Sequence, residues 1–136
     1  MRIYGIVALL ASMTVLCLTG CGPSGPNLHR VAGTVTFDGK PVEEGRIQFR
    51  AVDGDQRAFS GMIESGEYEL ETVSGKMSVE ITASRIVPGK FDESNPGEKV
   101  PVGEMYIPAR YNSQTELTAE VPEGGAKQVD FVLTSE

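Results

Sequence analysis

A chain of 136 residues has room for one domain, and 40% apolar with 23% charged residues is the composition of a folded globular protein rather than a disordered one. The formal charge is -7, and -8 without residues 1–20, because that segment holds Arg2 and no acid. This balance argues against nucleic acid as a partner, since such binding rests on Lys and Arg neutralising phosphate, and it disfavours adhesion to an anionic bilayer. Sixteen Gly and eight Pro point to many turns and to few long helices.

The first element, residues 1–20, reads as a targeting segment. Arg2 supplies a minimal positive start, and Ile3 to Leu18 carries no charge. Those sixteen residues fall just short of the roughly 17–25 that span a bilayer, so a retained membrane helix stays open on length alone. The end of the run, Leu18-Thr19-Gly20-Cys21, resembles the lipobox of bacterial lipoproteins. That resemblance implies a diacylglyceryl thioether on Cys21, cleavage before it by a signal peptidase that recognises Leu18, Thr19 and Gly20, and acylation (palmitate or a similar chain) of the new N-terminus. Cys17 is a less common residue within such a segment. The chemistry is consistent: a thiol is a strong nucleophile near neutral pH, and two or more acyl chains make a stable anchor where one is marginal. After cleavage Cys21 is the sole cysteine, so no intramolecular disulfide can form. Residues 21–29 then read as the lipidated cysteine and a flexible tether, GPSGPNLH, that reaches at most about 26–29 Å.

From Arg30 the pattern becomes period two. Val31, Gly33, Val35 and Phe37 alternate with Ala32, Thr34 and Thr36; Ile47, Phe49 and Ala51 with Arg46, Gln48 and Arg50. A weaker run follows at 58–63. Tyr68 and Leu70 then alternate with Glu67, Glu69 and Glu71; Met77, Val79, Ile81 and Ala83 with Lys76, Ser78, Glu80 and Thr82. At the C-terminus Leu117, Ala119 and Val121 form one strand, and Val129, Phe131 and Leu133 another. Turn signals separate these runs: Asp38-Gly39, Asp53-Gly54, Ser65-Gly66, Ser74-Gly75 and Pro122 to Gly125. About seven short strands, each polar on one face, predict an all-β fold over residues 30–136: an antiparallel β-sandwich, transthyretin-like or immunoglobulin-like.

The motifs VAGTVTFDGKPVEEGRIQF and GEYELETVSGKMSVEI resemble the carboxypeptidase regulatory-like, transthyretin-related domain, through Gly33 and Val35, Asp38 to Val42, Gly45, Gly66 to Leu70, and Gly75. Small bacterial lipoproteins that carry this domain after a lipobox are similar in layout, including a Pro-x-x-Tyr segment at Pro108 to Tyr111. The resemblance implies a fold more than a function. Its enzymatic branch, the hydroxyisourate hydrolases, uses more than one histidine, whereas this chain has His29 alone.

No catalytic centre is expected, nor a cofactor or metal. A zinc site needs more His or Cys than the mature chain holds, and the serines have no histidine base. Glu67, Glu69 and Glu71 read as a solvated face, set against Arg46 and Arg50 on a neighbouring strand. Asp53 and Asp55 suit a hairpin loop better than calcium, because no third acid clusters with them. Asp130 could serve a self-crosslinking adhesin bond, but no Lys lies between Val31 and Phe37. The chain thus reads as a lipid-anchored protein of the cell or outer membrane, facing away from the cytoplasm, with a non-catalytic binding or envelope-structural module. The alternative is a carbohydrate- or peptide-binding accessory protein acting through the long loop at 87–111, with Tyr106 and Tyr111 as ligand-binding candidates. Against that, the same tyrosines could pack the loop back onto the sandwich. The partner, an envelope protein or a glycan, is not specified by the sequence.

Overall fold

The computed structural model describes Gly22 and residues 25–136. Leu18, Thr19, Gly20 and Cys21, with the rest of the expected signal peptide, lie outside the described residues. Among those described, the strands are β1 (His29–Phe37), β2 (Lys40–Pro41), β3 (Glu44–Ala51), β4 (Ala58–Glu64), β5 (Glu67–Thr72), β6 (Gly75–Thr82), β7 (Ser84–Asp92), β8 (Val100–Met105), β9 (Thr118–Val121) and β10 (Phe131–Leu133). A single 3-10 turn, Ala109–Tyr111, lies between β8 and β9. No helix among the described residues is long and apolar enough to cross a membrane.

The period-two pattern decides which face each strand buries. Val31 and Val35 of β1, Ile47 and Phe49 of β3, Leu70 of β5, and Met77, Val79 and Ile81 of β6 are all buried, while their polar neighbours point outward. Each such large side chain contributes about 1.5–3 kcal/mol relative to exposure. The tight turns form where the sequence places them. At Asp38 and Gly39 φ is 50° and 77°, the paired left-handed residues that a two-residue hairpin requires. Pro41 in β2 pairs only with β1, where its missing N–H breaks no ladder.

The main sheet runs β10-β1-β5-β4-β3-β6-β9 and curls so that β10 packs over β3. Phe131 of β10 meets Phe49 of β3, ring centroids 6.3 Å apart, although β1, β5 and β4 separate those strands within the sheet. Tyr68 of β5 completes the cluster at 6.2 Å from Phe49 and 6.3 Å from Phe131. This is the expected all-β sandwich, with one departure. β10 runs parallel to β1, Val35 opposite Phe131 and Phe37 opposite Leu133, while every other strand pair is antiparallel. The reason is the path of the segment after Gly125. It follows β1 in the same direction from the bridge between Val31 and Ala126, joined by Ala32 N–H to Ala126 O (2.9 Å) and Val129 N–H to Ala32 O (3.1 Å).

Residues 106–117 close the other seam without a strand. Ile107 is buried, and Asn112 Nδ2 donates toward Ile81 O (3.3 Å), Ile107 O (3.3 Å) and Pro108 O (3.1 Å). Thr115 Oγ1 donates to Val79 O at 2.5 Å, and Arg110 and Tyr111 bond Thr134 just beyond β10.

Three expectations change. His29 is not tether: it opens β1 opposite Thr72, and its Nδ1 accepts the Gly124 N–H at 3.0 Å. Arg46 and Arg50 do not face Glu67, Glu69 and Glu71, because β4 lies between β3 and β5. Finally, about half of the expected loop at 87–111 is strand, as β7 and β8 pair into a separate two-stranded hairpin.

Candidate functional site

Tyr106 follows β8 directly, and its N–H donates to Ala83 O (3.2 Å) where β6 gives way to β7. Its ring meets Phe37 edge-on at 5.5 Å, and the Arg85 guanidinium lies 5.5 Å from its centroid. Burial raises its phenol above the usual value; Arg85 acts against that rise and Glu43 adds to it. Tyr111 belongs to the 3-10 turn. Its hydroxyl accepts the Thr134 N–H at 3.1 Å, and Arg110 covers its ring at 4.9 Å. Hydrogen bonding from Thr134 lowers its phenol below the usual value. Both rings pack on the core and carry a guanidinium on one side. Each tyrosine thus helps tie the 106–117 segment to the sandwich, Tyr106 against Phe37 and Tyr111 through Thr134, while staying partly exposed.

A depression of about 710 Å3 lies on the outer surface of β1, β5 and β4, with Met62, Glu64, Glu67, Glu69, Lys127 and Asp130 around its edge. Cross-strand register makes it acidic. Glu44 sits opposite Glu64, and Glu64 opposite Glu67, so three carboxylates follow one another across β3, β4 and β5. Like charges directly opposed are destabilising. Arg30 Nε, 3.5 Å from Glu69, offsets part of the field. Asp130 is used by the fold, accepting from Thr34 N–H (2.8 Å) and Thr34 Oγ1 (3.0 Å). Tyr68 donates its hydroxyl to Val129 O at 2.7 Å, and burial, then the charge of Asp130, push that phenol far above its usual value. The Tyr68 hydroxyl and the Asp130 carboxylate at this surface are thus engaged in the fold's own hydrogen bonds. Asp55 is spoken for by Arg57, at 2.8 Å, and no group of three His, Cys, Asp or Glu among the described residues is placed to hold a metal.

The feature that sequence reasoning missed is the β7–β8 hairpin. It carries Ile86, Phe91, Val100 and Met105, all about half exposed or more, and not one fully buried residue. Paired residues share a face, so the register sorts its side chains. Ser84 with Met105, Ile86 with Gly103 and Phe91 with Pro101 lie on one side; Arg85 with Glu104 and Asp92 with Val100 lie on the other. The paired residues of the first face include no charge, and Val87–Lys90 fall in the unpaired stretch of β7. The signal that could have found it is the spacing of Pro101, Gly103 and Met105 against Ser84 and Ile86. It was hidden by an irregularity between Ile86 and Phe91, where four residues oppose only Val102 and shift the alternation. A recess of about 390 Å3 at the foot of the hairpin is lined by Glu43, Glu44, Arg85, Ile86, Gly103 and Tyr106.

Comparison with known proteins yields little. No family model matches the chain, and no curated protein does. Among solved structures it is similar to a 9R-lipoxygenase from Cyanothece PCC8801, at TM-score 0.39 and 13% identity. That alignment covers 79% of this chain but only 16% of the lipoxygenase, and a likeness this weak carries no argument about fold or activity.

Proposed function

We propose that this protein is a lipid-anchored, extracytoplasmic β-sandwich, attached through Cys21, which acts as a non-catalytic binding or envelope-structural module. The observation that carries the reading is Leu18-Thr19-Gly20-Cys21 closing an uncharged run, only eight residues before the sandwich begins at His29. In this reading the anchor has a direction. β1 starts at His29, on the tether side, and its nine residues rise about 30 Å. They end at Phe37, against Tyr106, where the β7–β8 hairpin leaves the body. The hairpin is then held away from the membrane, where a partner can reach it. The carboxypeptidase regulatory-like resemblance belongs to the same proposal, supported by its hairpin turn at Asp38-Gly39 and by Gly33 lying against the Val129 main chain.

A peptide- or glycan-binding accessory role at 87–111 is the second reading. The exposed apolar hairpin favours protein over sugar as its ligand, because both candidate tyrosine rings are already committed to internal packing.

The anchor is tested by Cys21→Ser. The variant is expected to lose fatty-acid labelling and to leave the membrane fraction. Unchanged membrane retention refutes lipid anchorage and points to an uncleaved helix.

A further inference from the structure

Hairpins of two strands are marginal in water unless a face is covered, and contiguous exposed apolar surface marks an interaction site. Ile86, Phe91 and Met105 are 61%, 48% and 53% exposed, and their pairing places all three on the same face of β7–β8. Gly103 leaves that face open between them, since a Cβ there would meet nothing nearer than Ser84 Cβ at 3.9 Å. Of the paired residues the charged ones, Arg85, Asp92 and Glu104, sit on the other face, and Lys90 precedes Phe91 in the unpaired stretch. The foot of the hairpin carries both signs, Arg85 beside Glu43 and Glu44.

We propose that this face is a weak, two-fold self-association surface, covered by the same face of a second copy of the chain. Three arguments select a copy as the occupant. First, a face whose paired residues carry no charge meets itself there without like-charge cost, and its rim of mixed sign is self-complementary under a two-fold axis. Second, the tether is short, and it joins the sandwich at the end opposite the hairpin. Anchored copies therefore hold their hairpins at one height above the membrane, and a two-fold axis along the membrane normal can bring the faces together. Third, the area is small. Three half-exposed large side chains offer about 300 Å2 per copy, against about 800 Å2 per partner in a stable interface. Free in solution the chain stays monomeric, aided by its net negative charge. Confinement to a membrane raises effective concentration, as linkage does, and shifts the balance toward dimers. This last step rests on the lipid-anchor reading above.

The experiment uses the full chain in its own membranes, with single cysteines at exposed hairpin positions and a mild oxidant. Phe91→Cys is expected to give a disulfide-linked homodimer at least about tenfold more readily than Glu104→Cys, on the opposite face. Adding Ile86→Asp to Phe91→Cys should remove the product, and neither exposed site touches the core, so the sandwich stays folded. Moving Phe91→Cys into a Cys21→Ser background should cut crosslinking about tenfold. Equal crosslinking at both faces, indifference to Ile86→Asp, or capture of a protein of different mass overturns the proposal. If the Cys21→Ser protein stays membrane-bound, the anchor reading fails, and the comparison of the two faces still decides the surface on its own.

Discussion

Gly33 sits in the middle of β1, where the chain returning toward β10 crosses closest to it. A Cβ added there would lie 2.0 Å from Val129 O and 2.5 Å from Val129 C, both main-chain atoms. Ordinary carbon–oxygen contact is well over 3 Å, so Gly33→Ala must displace the 126–130 segment by more than an ångström. That segment is held by Val129 N–H to Ala32 O (3.1 Å), Tyr68 Oη–H to Val129 O (2.7 Å) and the Thr34–Asp130 pair (2.8 and 3.0 Å). Losing two or three such bonds at about 1 kcal/mol each, with some loosening around Phe131, sets the cost near 3 kcal/mol. Gly39 is the control. It also has a special backbone, φ 77°, but a Cβ there meets nothing within 4 Å, so Gly39→Ala should cost only about 1 kcal/mol. Urea unfolding of both variants in a Cys21→Ser background measures the difference, and in thermal unfolding the Gly33 variant should lose roughly 12–24 °C in Tm. If Gly33→Ala falls within about 0.5 kcal/mol of Gly39→Ala, the close crossing of β1 and the 126–130 segment is wrong.

Two further outcomes are expected. Tyr68, whose phenol is raised above the unfolded value of about 10, contributes stability that is complete below that pH and lost as pH rises above it. Phenolate absorbance should therefore show Tyr68 ionising only as the domain unfolds. Tyr68→Phe should cost about 1 kcal/mol at neutral pH, through the lost bond to Val129 O, and make unfolding less sensitive to alkali. Asn112→Ala removes the amide that satisfies Ile81 O, Ile107 O and Pro108 O, and should cost about 2–3 kcal/mol in urea unfolding while hydrogen exchange rises around Val79 and Ile81.

The strands of the sandwich were legible because each combines one buried and one solvated face, so Ile47, Phe49, Met77, Val79 and Ile81 announce their side by alternation alone. The turns were legible for a different reason: Asp38-Gly39 and Ser65-Gly66 are pairs that tolerate positive φ. What alternation cannot carry is direction and neighbourhood. Phe131 and Leu133 mark a buried face equally well in a parallel or an antiparallel strand, and the parallel path of β10 is set by main-chain bonds at Ala126 and Val129. Likewise, Glu67, Glu69 and Glu71 were correctly read as outward, yet their neighbours are β1 and β4 rather than β3, which only strand order reveals. The hairpin stayed hidden because neither face is buried and Pro88-Gly89 falls where its alternation slips. Tyr106 and Tyr111 were legible as the tyrosines at the end of the long segment after β6, but whether a ring binds a ligand or packs inward depends on Phe37 and Thr134, far away in sequence.

The same geometry separates the hairpin from the fold energetically. β6 and the 106–117 segment already meet through Asn112 and Thr115, and Ala83 and Tyr106 are bonded to each other across the hairpin's base. Removing residues 85–104 would leave those contacts and every core residue in place. Ordering each backbone residue costs about 1–2 kcal/mol, whereas a cross-strand pair returns about 0.2–1 kcal/mol. The register supplies five pairs for the whole hairpin, interrupted once. Its own contacts leave it marginal, and covering Ile86, Phe91 and Met105 is the largest stabilising step still open to it. An arm that adds nothing to the core and gains most from being covered is the element on which the proposed self-association turns.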